Sequence, residues 1–131
     1  MATYLLDTNI IIDAINDKKD RNQMLLDLAE AGHTLACCPI NVSEVYAGIR
    51  PKEEARTANF LHSLLLYPIT FPVAELAGRL KRDYSKRGRT LSIPDTTVAA
   101  VAIHFGVPLI TDNVKDFPMK DLTLHSLPAV N

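Results

Sequence analysis

The chain has 131 residues, 14 Lys and Arg against 15 Asp and Glu, and 47% hydrophobic residues. That length suits one domain, 1–131, with one core. The nearly balanced charge excludes a protein that coats nucleic acid by charge alone, so any nucleic-acid contact must use a local patch.

The first predicted strand is TYLL, 3–6, apolar enough to be buried on both faces. Asp7-Thr8-Asn9 then interrupts the apolar run before a helix over 9–15. A polar tripeptide at a strand-to-helix junction is either a cap or the edge of a site. Helix 21–31 places Met24, Leu25, Leu28 and Ala29 on one side. Strand 34–38 (TLACC) follows. Its adjacent Cys37 and Cys38 would point to opposite faces, so a bridge between them would be strained. Without CxxC or Cys/His zinc spacing they read as core thiols in a reducing compartment.

Helices over 41–49 and 53–66 come next, then a strand over 67–70 (YPIT). One face of 53–66 could serve a partner or the core equally well. Helix 73–87 carries Val73, Ala77, Leu80 and Tyr84 as an amphipathic stripe. Helix 93–105 is apolar nearly all round and reads as buried; His104 within it reads as a satisfied core residue. Met24 and Tyr46 read as core or interface. Strands over 107–111 (VPLIT) and 122–125 (LTLH) close the chain. Gly32, Gly48, Gly88 and Gly106 fall where helices should end. No apolar run reaches the roughly 18 residues of a membrane span, and MATYLLDTN has no basic leader or cleavage site. A soluble cytoplasmic protein with no membrane partner is expected.

Strands alternating with helices imply an α/β fold with a central, mainly parallel sheet of about five short strands, covered by helices on both faces. In such sheets sites form beyond the carboxyl ends of the strands. Carboxylates occupy those places: Asp7 after the first strand, Glu44 after the second, Asp95 opening the buried helix, and Asp112 and Asp116 in TDNVKDF after VPLIT. Each has a plainer reading. Asn41-x-x-Glu44 and Ser92-x-x-Asp95 fit capping boxes, and acids in first turns suit the helix dipole. The combination points further. Asp7 and Asp95 lie in sequence that should be buried, and no Lys or Arg stands within four residues of either. A buried carboxylate needs a partner or an ion, and a cluster of acids without nearby bases points to a hard divalent cation. Oxygen ligands suit Mg²⁺ or Mn²⁺, and carboxylates around such ions are the usual apparatus of phosphodiester hydrolysis.

LLDTNI (5–10), SEVYAG (43–48), PDTTVAAVA (94–102) and ITDNVKDF (110–117) resemble, in order and spacing, the motifs of PIN-domain ribonucleases, in particular the VapC-type toxins of bacterial toxin–antitoxin pairs. The resemblance implies a three-layer α/β/α sandwich and a Mg²⁺- or Mn²⁺-dependent endoribonuclease cutting structured RNA such as tRNA or rRNA. It implies a homodimer and a cognate antitoxin, through which promoter DNA is contacted only indirectly. Asp7, Glu44 and Asp95 match the three firmest acids. Asp116 matches the fourth in a T-x-N-x-x-D-F form. Asp112 ranks second there, because relatives place a non-acidic residue at that position. Asp7 and Asp95 would hold the metal, with Glu44 and Asp116 completing the shell or a second site. Thr8, Asn9, Ser92 and Asn113 would contact carboxylates or substrate.

The basic stretch RLKRDYSKRGR, 79–89, leads into Ser92 and Asp95. It reads either as a solvated face with Glu75–Arg79 and Asp83–Arg87 pairs, or as an RNA guide through Arg87 and Arg89. A phosphoryl-accepting receiver is disfavoured because Asp7 has no acidic neighbour, and a D-x-D phosphatase because Asn9 stands where its second Asp would be. A PIN-like module that binds RNA or protein without catalysis is disfavoured by the intact acids.

Overall fold

The structure is a computed structural model that describes residues 1–127; residues 128–131 of the expected domain lie outside the described residues. Four parallel strands, β1 (Thr3–Leu6), β2 (Thr34–Cys37), β3 (Leu65–Leu66) and β4 (Leu109–Ile110), form one sheet in the order β3-β2-β1-β4. Leu5 pairs with Ala36 on one side and with Leu109 on the other. The helices are α1 (Thr8–Ile15), α2 (Arg21–Glu30), α3 (Pro39–Gly48), α4 (Glu54–His62), α5 (Phe71–Lys86) and α6 (Ile93–Phe105).

Consecutive strand residues point to opposite faces, and the core divides accordingly. Leu5, Ala36 and Leu109 pack with Val73, Ala77 and the buried run Val98–Ala102 of α5 and α6. Leu6, Cys37 and Ile110 pack with Ile10, Ile11, Leu25, Val45 and Leu61 of α1 to α4. Two cores on one sheet make the expected α/β/α sandwich. Helix α6 is buried along its middle, Thr96–Ala102, a run rich in small residues. Gly106 ends it in the left-handed conformation, φ 68°, which only glycine adopts without a Cβ clash.

Several expectations shift. The third strand lies at Leu65–Leu66, not 67–70, because α4 stops at His62 and the ladder ends with the Tyr67 N–H donating to Cys37 O at 2.9 Å. Pro68 has no N–H with which to continue it. The strand expected at 122–125 is reduced to a single parallel bridge, Leu109 to Leu124, so the sheet has four strands rather than five. Helix α3 starts at Pro39 with Cys38 as its N-cap; Asn41 is its third residue, and its side chain forms the box with Cys38 rather than with Glu44. His104 is exposed rather than in the core, edge-on to Phe105, because the buried face of α6 ends before it. Met24 and Tyr46 lie half-buried against the second core, as expected. Among the described residues no helix is long and apolar enough to cross a membrane.

Candidate active site

The chain steps from β1 outward to β2 and β3, then returns to place β4 on the other side of β1. The strand order therefore reverses between β1 and β4, the place where parallel sheets open a crevice. Asp7 follows β1 at that point. Its N–H donates to Ile110 O at 2.9 Å and its carbonyl accepts from Ile10 N–H at 3.1 Å, so it ends the strand and starts α1 at once. Only 5% exposed, its carboxylate is held from two sides. Thr8 N–H donates to Oδ1 at 2.9 Å, and the Thr111 hydroxyl, at the end of β4, donates to Oδ2 at 2.7 Å. Thr111 in turn accepts from Asn113 N–H at 2.9 Å.

A second chain of bonds fixes the neighbouring acid. Asn41, fully buried, accepts from Cys38 N–H at 2.9 Å and donates to Thr8 Oγ1 at 3.1 Å. The Thr8 hydroxyl in turn donates to Glu44 Oε1 at 2.6 Å. Glu44 itself is exposed at the mouth. Ser92 caps α6, accepting from Asp95 N–H at 3.1 Å, and the half-buried Asp95 carboxyl also bonds Ser92. Asp116 lies in the short 3₁₀ turn Val114–Asp116 after β4.

The acids feel one another. Burial pushes the Asp7 carboxyl above its ordinary range; the bonds from Thr111 and Thr8 pull it back, and the charges of Asp95 and Glu44 push it up further. Burial likewise raises Asp95, opposed by its bond to Ser92 and reinforced by Asp116 and Glu44. Asp7, Glu44, Asp95 and Asp116 thus form one electrostatic group. None of them is in an ion pair among the described residues. Asp112 is set apart: its carboxylate is engaged by Arg21, Nη2 to Oδ1 at 2.7 Å, because the chain after Thr111 turns it toward the start of α2.

Among the described residues no three His, Cys, Asp or Glu side chains stand close enough to form a ready-made cage. The donor set is nonetheless all oxygen and wholly anionic, the chemistry that suits a hard cation retaining several of its waters. Burial raises the Cys37 thiol to about 11 and raises Cys38 as well, so neither supplies a thiolate to the site.

Of the other expected contacts, Asn9 is exposed beside Thr8, and the Asn113 backbone is tied to Thr111. The Arg87 guanidinium lies 4.1 Å from the Tyr84 ring centroid, so the expected Asp83–Arg87 pair is replaced by Arg82–Asp83 at 3.3 Å, while Glu75–Arg79 forms at 3.4 Å. Arg89 donates to Lys115 O, tying the turn before α6 to the loop that carries Asp116. The sequence reading missed Asn41, Thr111 and Arg21. Thr111 had a signal, the hydroxyl directly before the acidic loop; Asn41 and Arg21 had none. A cavity of about 610 Å³ lies elsewhere, between α2, β2 and α4, lined by Leu25, Leu26, Phe60 and Leu64. None of its lining residues is an acid.

A sequence profile described as PIN domain matches residues 4–119. "Ribonuclease VapC19" of Mycobacterium tuberculosis is 31% identical over 115 residues, covering 88% of this chain and 92% of the relative. "Ribonuclease VapC2" of Rickettsia felis is 27% identical over 87% of this chain and 89% of its own. Among solved structures, VapBC2 from Rickettsia felis bound to a DNA fragment from their promoter superposes with a TM-score of 0.84, 25% identity, and coverage of 96% of this chain and 99% of that one. A toxin–antitoxin complex from Klebsiella pneumoniae gives 0.75 with 30% identity over 92% of this chain and 95% of that one.

Proposed function

The chain belongs to the PIN-domain family, among the VapC ribonucleases, and on that footing we propose that it is a Mg²⁺- or Mn²⁺-dependent endoribonuclease toxin. Its substrate is a structured RNA, tRNA or rRNA, and a cognate antitoxin neutralises it. The observation that carries the reading is Asp7: a buried carboxylate at the sheet's switch point, beside three further acids, none of the four in an ion pair among the described residues.

Asp7 and Asp95 would hold the cation, with Glu44 and Asp116 completing its surroundings. Such an ion, when bound, neutralises phosphate charge and acidifies water. The rest is the work of this chain. Thr8 and Thr111 fix both oxygens of Asp7, so the carboxylate is preorganised and loses little freedom on binding. Thr8 also orients Glu44, which can then accept a proton from water at the mouth of the crevice. Burial raises the Asp7 and Asp95 carboxyls, and a cation would bind their ionised forms, so its affinity would climb with pH. Asn9 and Ser92, exposed at the start of α1 and α6, face substrate. Arg87, exposed on its tyrosine, attracts the RNA backbone. Arg89 acts on the Asp116 loop as well as on phosphate. A homodimer belongs to the same reading, and light scattering on the purified chain tests it.

The experiment is cleavage of a total tRNA and rRNA pool by antitoxin-free protein with Mg²⁺, Mn²⁺ or EDTA, beside Asp7→Asn. Discrete cuts that need metal and vanish in the variant are expected. Cation binding without cuts on any RNA would replace the enzyme with a binding module.

A further inference from the structure

Arg21 is only 2% exposed, and the mechanism above makes no use of it. A buried guanidinium is expensive unless paired and hydrogen-bonded. Its partner is Asp112, gripped at two points: Nη2 to Oδ1 at 2.7 Å and Nε to Oδ2 at 3.4 Å. The cations of the other ion pairs among the described residues are all well exposed.

The backbone bends hard to bring Arg21 inward. Asp17, Lys19 and Asp20, just before it, adopt φ of 54°, 57° and 54°. Left-handed conformations crowd the Cβ of a non-glycine residue and persist only where the surroundings impose them. Asp20, the N-cap of α2, makes no side-chain cap bond. Stability alone gives no reason for this arrangement, because an apolar pair of similar volume usually stabilises a core at least as well as a buried ion pair.

What Arg21 holds is the loop after β4. Asp112 follows Thr111, whose hydroxyl bonds Asp7, and precedes the turn bearing Asp116. We infer that Arg21 is a positioning residue of the acidic site: its grip on Asp112 locks this loop, keeping the Thr111 hydroxyl on Asp7 and Asp116 within electrostatic reach of Asp95. The consequence for RNA cleavage rests on the ribonuclease reading; the clamp on the loop does not.

The Asn113 N–H reports on the clamp, since it donates to Thr111 Oγ1. Amide exchange would be followed by NMR on the full chain and on Arg21→Met, Arg21→Lys and Asp112→Asn, the last two being milder should the first not fold. Exchange at Asn113 should quicken about tenfold or more in each folded variant, while Val98–Val101 of α6 stay protected. The kcat for RNA should fall about tenfold or more with KM unchanged, and Arg21→Lys should lie between wild type and Arg21→Met. Unchanged Asn113 exchange in any folded variant overturns the clamp. Quickened exchange with unchanged kcat overturns the positioning role. Quickened exchange in a chain whose wild type cuts no RNA supports the clamp and overturns the ribonuclease reading instead.

Discussion

Asp7 and Asp95 sit above the ordinary carboxyl range chiefly because they are buried, and their neighbours' charges add to it. A carboxyl raised in the folded chain binds its proton more tightly there than when unfolded. Its stabilising contribution is complete below the unfolded value, near 3.8, and is lost as pH rises through the folded value. In EDTA, thermal melts should therefore show stability falling as pH climbs above that point. Asp7→Asn should remove part of the fall and melt higher at neutral pH. Mg²⁺ should restore stability to wild type and do less for Asp7→Asn and Asp95→Asn, because a ligand stabilises only the state that binds it. An unchanged Mg²⁺ response in both variants would end the metal reading. Thr8 offers a separate test. Thr8→Val strips Glu44 of its donor and leaves the buried Asn41 amide without an acceptor, at a cost of about 1–3 kcal/mol in urea unfolding. Thr8→Ser keeps the hydroxyl and should cost much less.

At the level of elements, β4 is two residues long yet anchors both cores, with Leu109 on one face and Ile110 on the other. Ile110 is wholly buried, and its carbonyl receives the Asp7 N–H. Ile110→Ala should cost about 2–5 kcal/mol by urea titration, and weaken Mg²⁺ stabilisation along with it. Helix α5 carries the basic face, and its arginines differ in role. Arg79 and Arg82 are in surface pairs, whereas Arg87 rests on an aromatic ring with its charge unopposed by a carboxylate among the described residues. Arg87→Gln should weaken RNA binding and flatten its dependence on salt by roughly one phosphate contact, whereas Arg79→Gln should change little. A slope for Arg87→Gln unchanged from wild type would make this face a solvated surface only.

For the molecule as a whole, strand order decides where chemistry can occur. The order β3-β2-β1-β4 puts the ends of the first and last strands side by side, although Leu6 and Ile110 are far apart along the chain. Helices on both faces then leave that edge as the place where buried polar groups meet water. Asp7 from β1, Glu44 from α3, Asp95 from α6 and Asp116 from the final loop converge on it without any two being sequence neighbours.

The sequence by itself determined the fold class, the alternation of strand and helix, and which acids end strands or open helices. Each depends on short-range patterns: apolar runs, Gly stops and a polar tripeptide where β1 ends. At Asp7 one junction bears both a strand end and a helix start, and capping through Thr8 N–H leaves the second carboxylate oxygen to Thr111. Only the tertiary structure decided the partners. Asn41 and Thr8 lie 33 residues apart, Thr111 and Asp7 104, and Arg21 and Asp112 91. No local pattern announces such pairs, because a side chain's hydrogen-bonding capacity is the same whatever it meets. The choice between Asp112 and Asp116 is of this kind. Both follow β4, and it is the buried Arg21, arriving from another element, that engages the Asp112 carboxylate, while the Asp116 charge bears on Asp95.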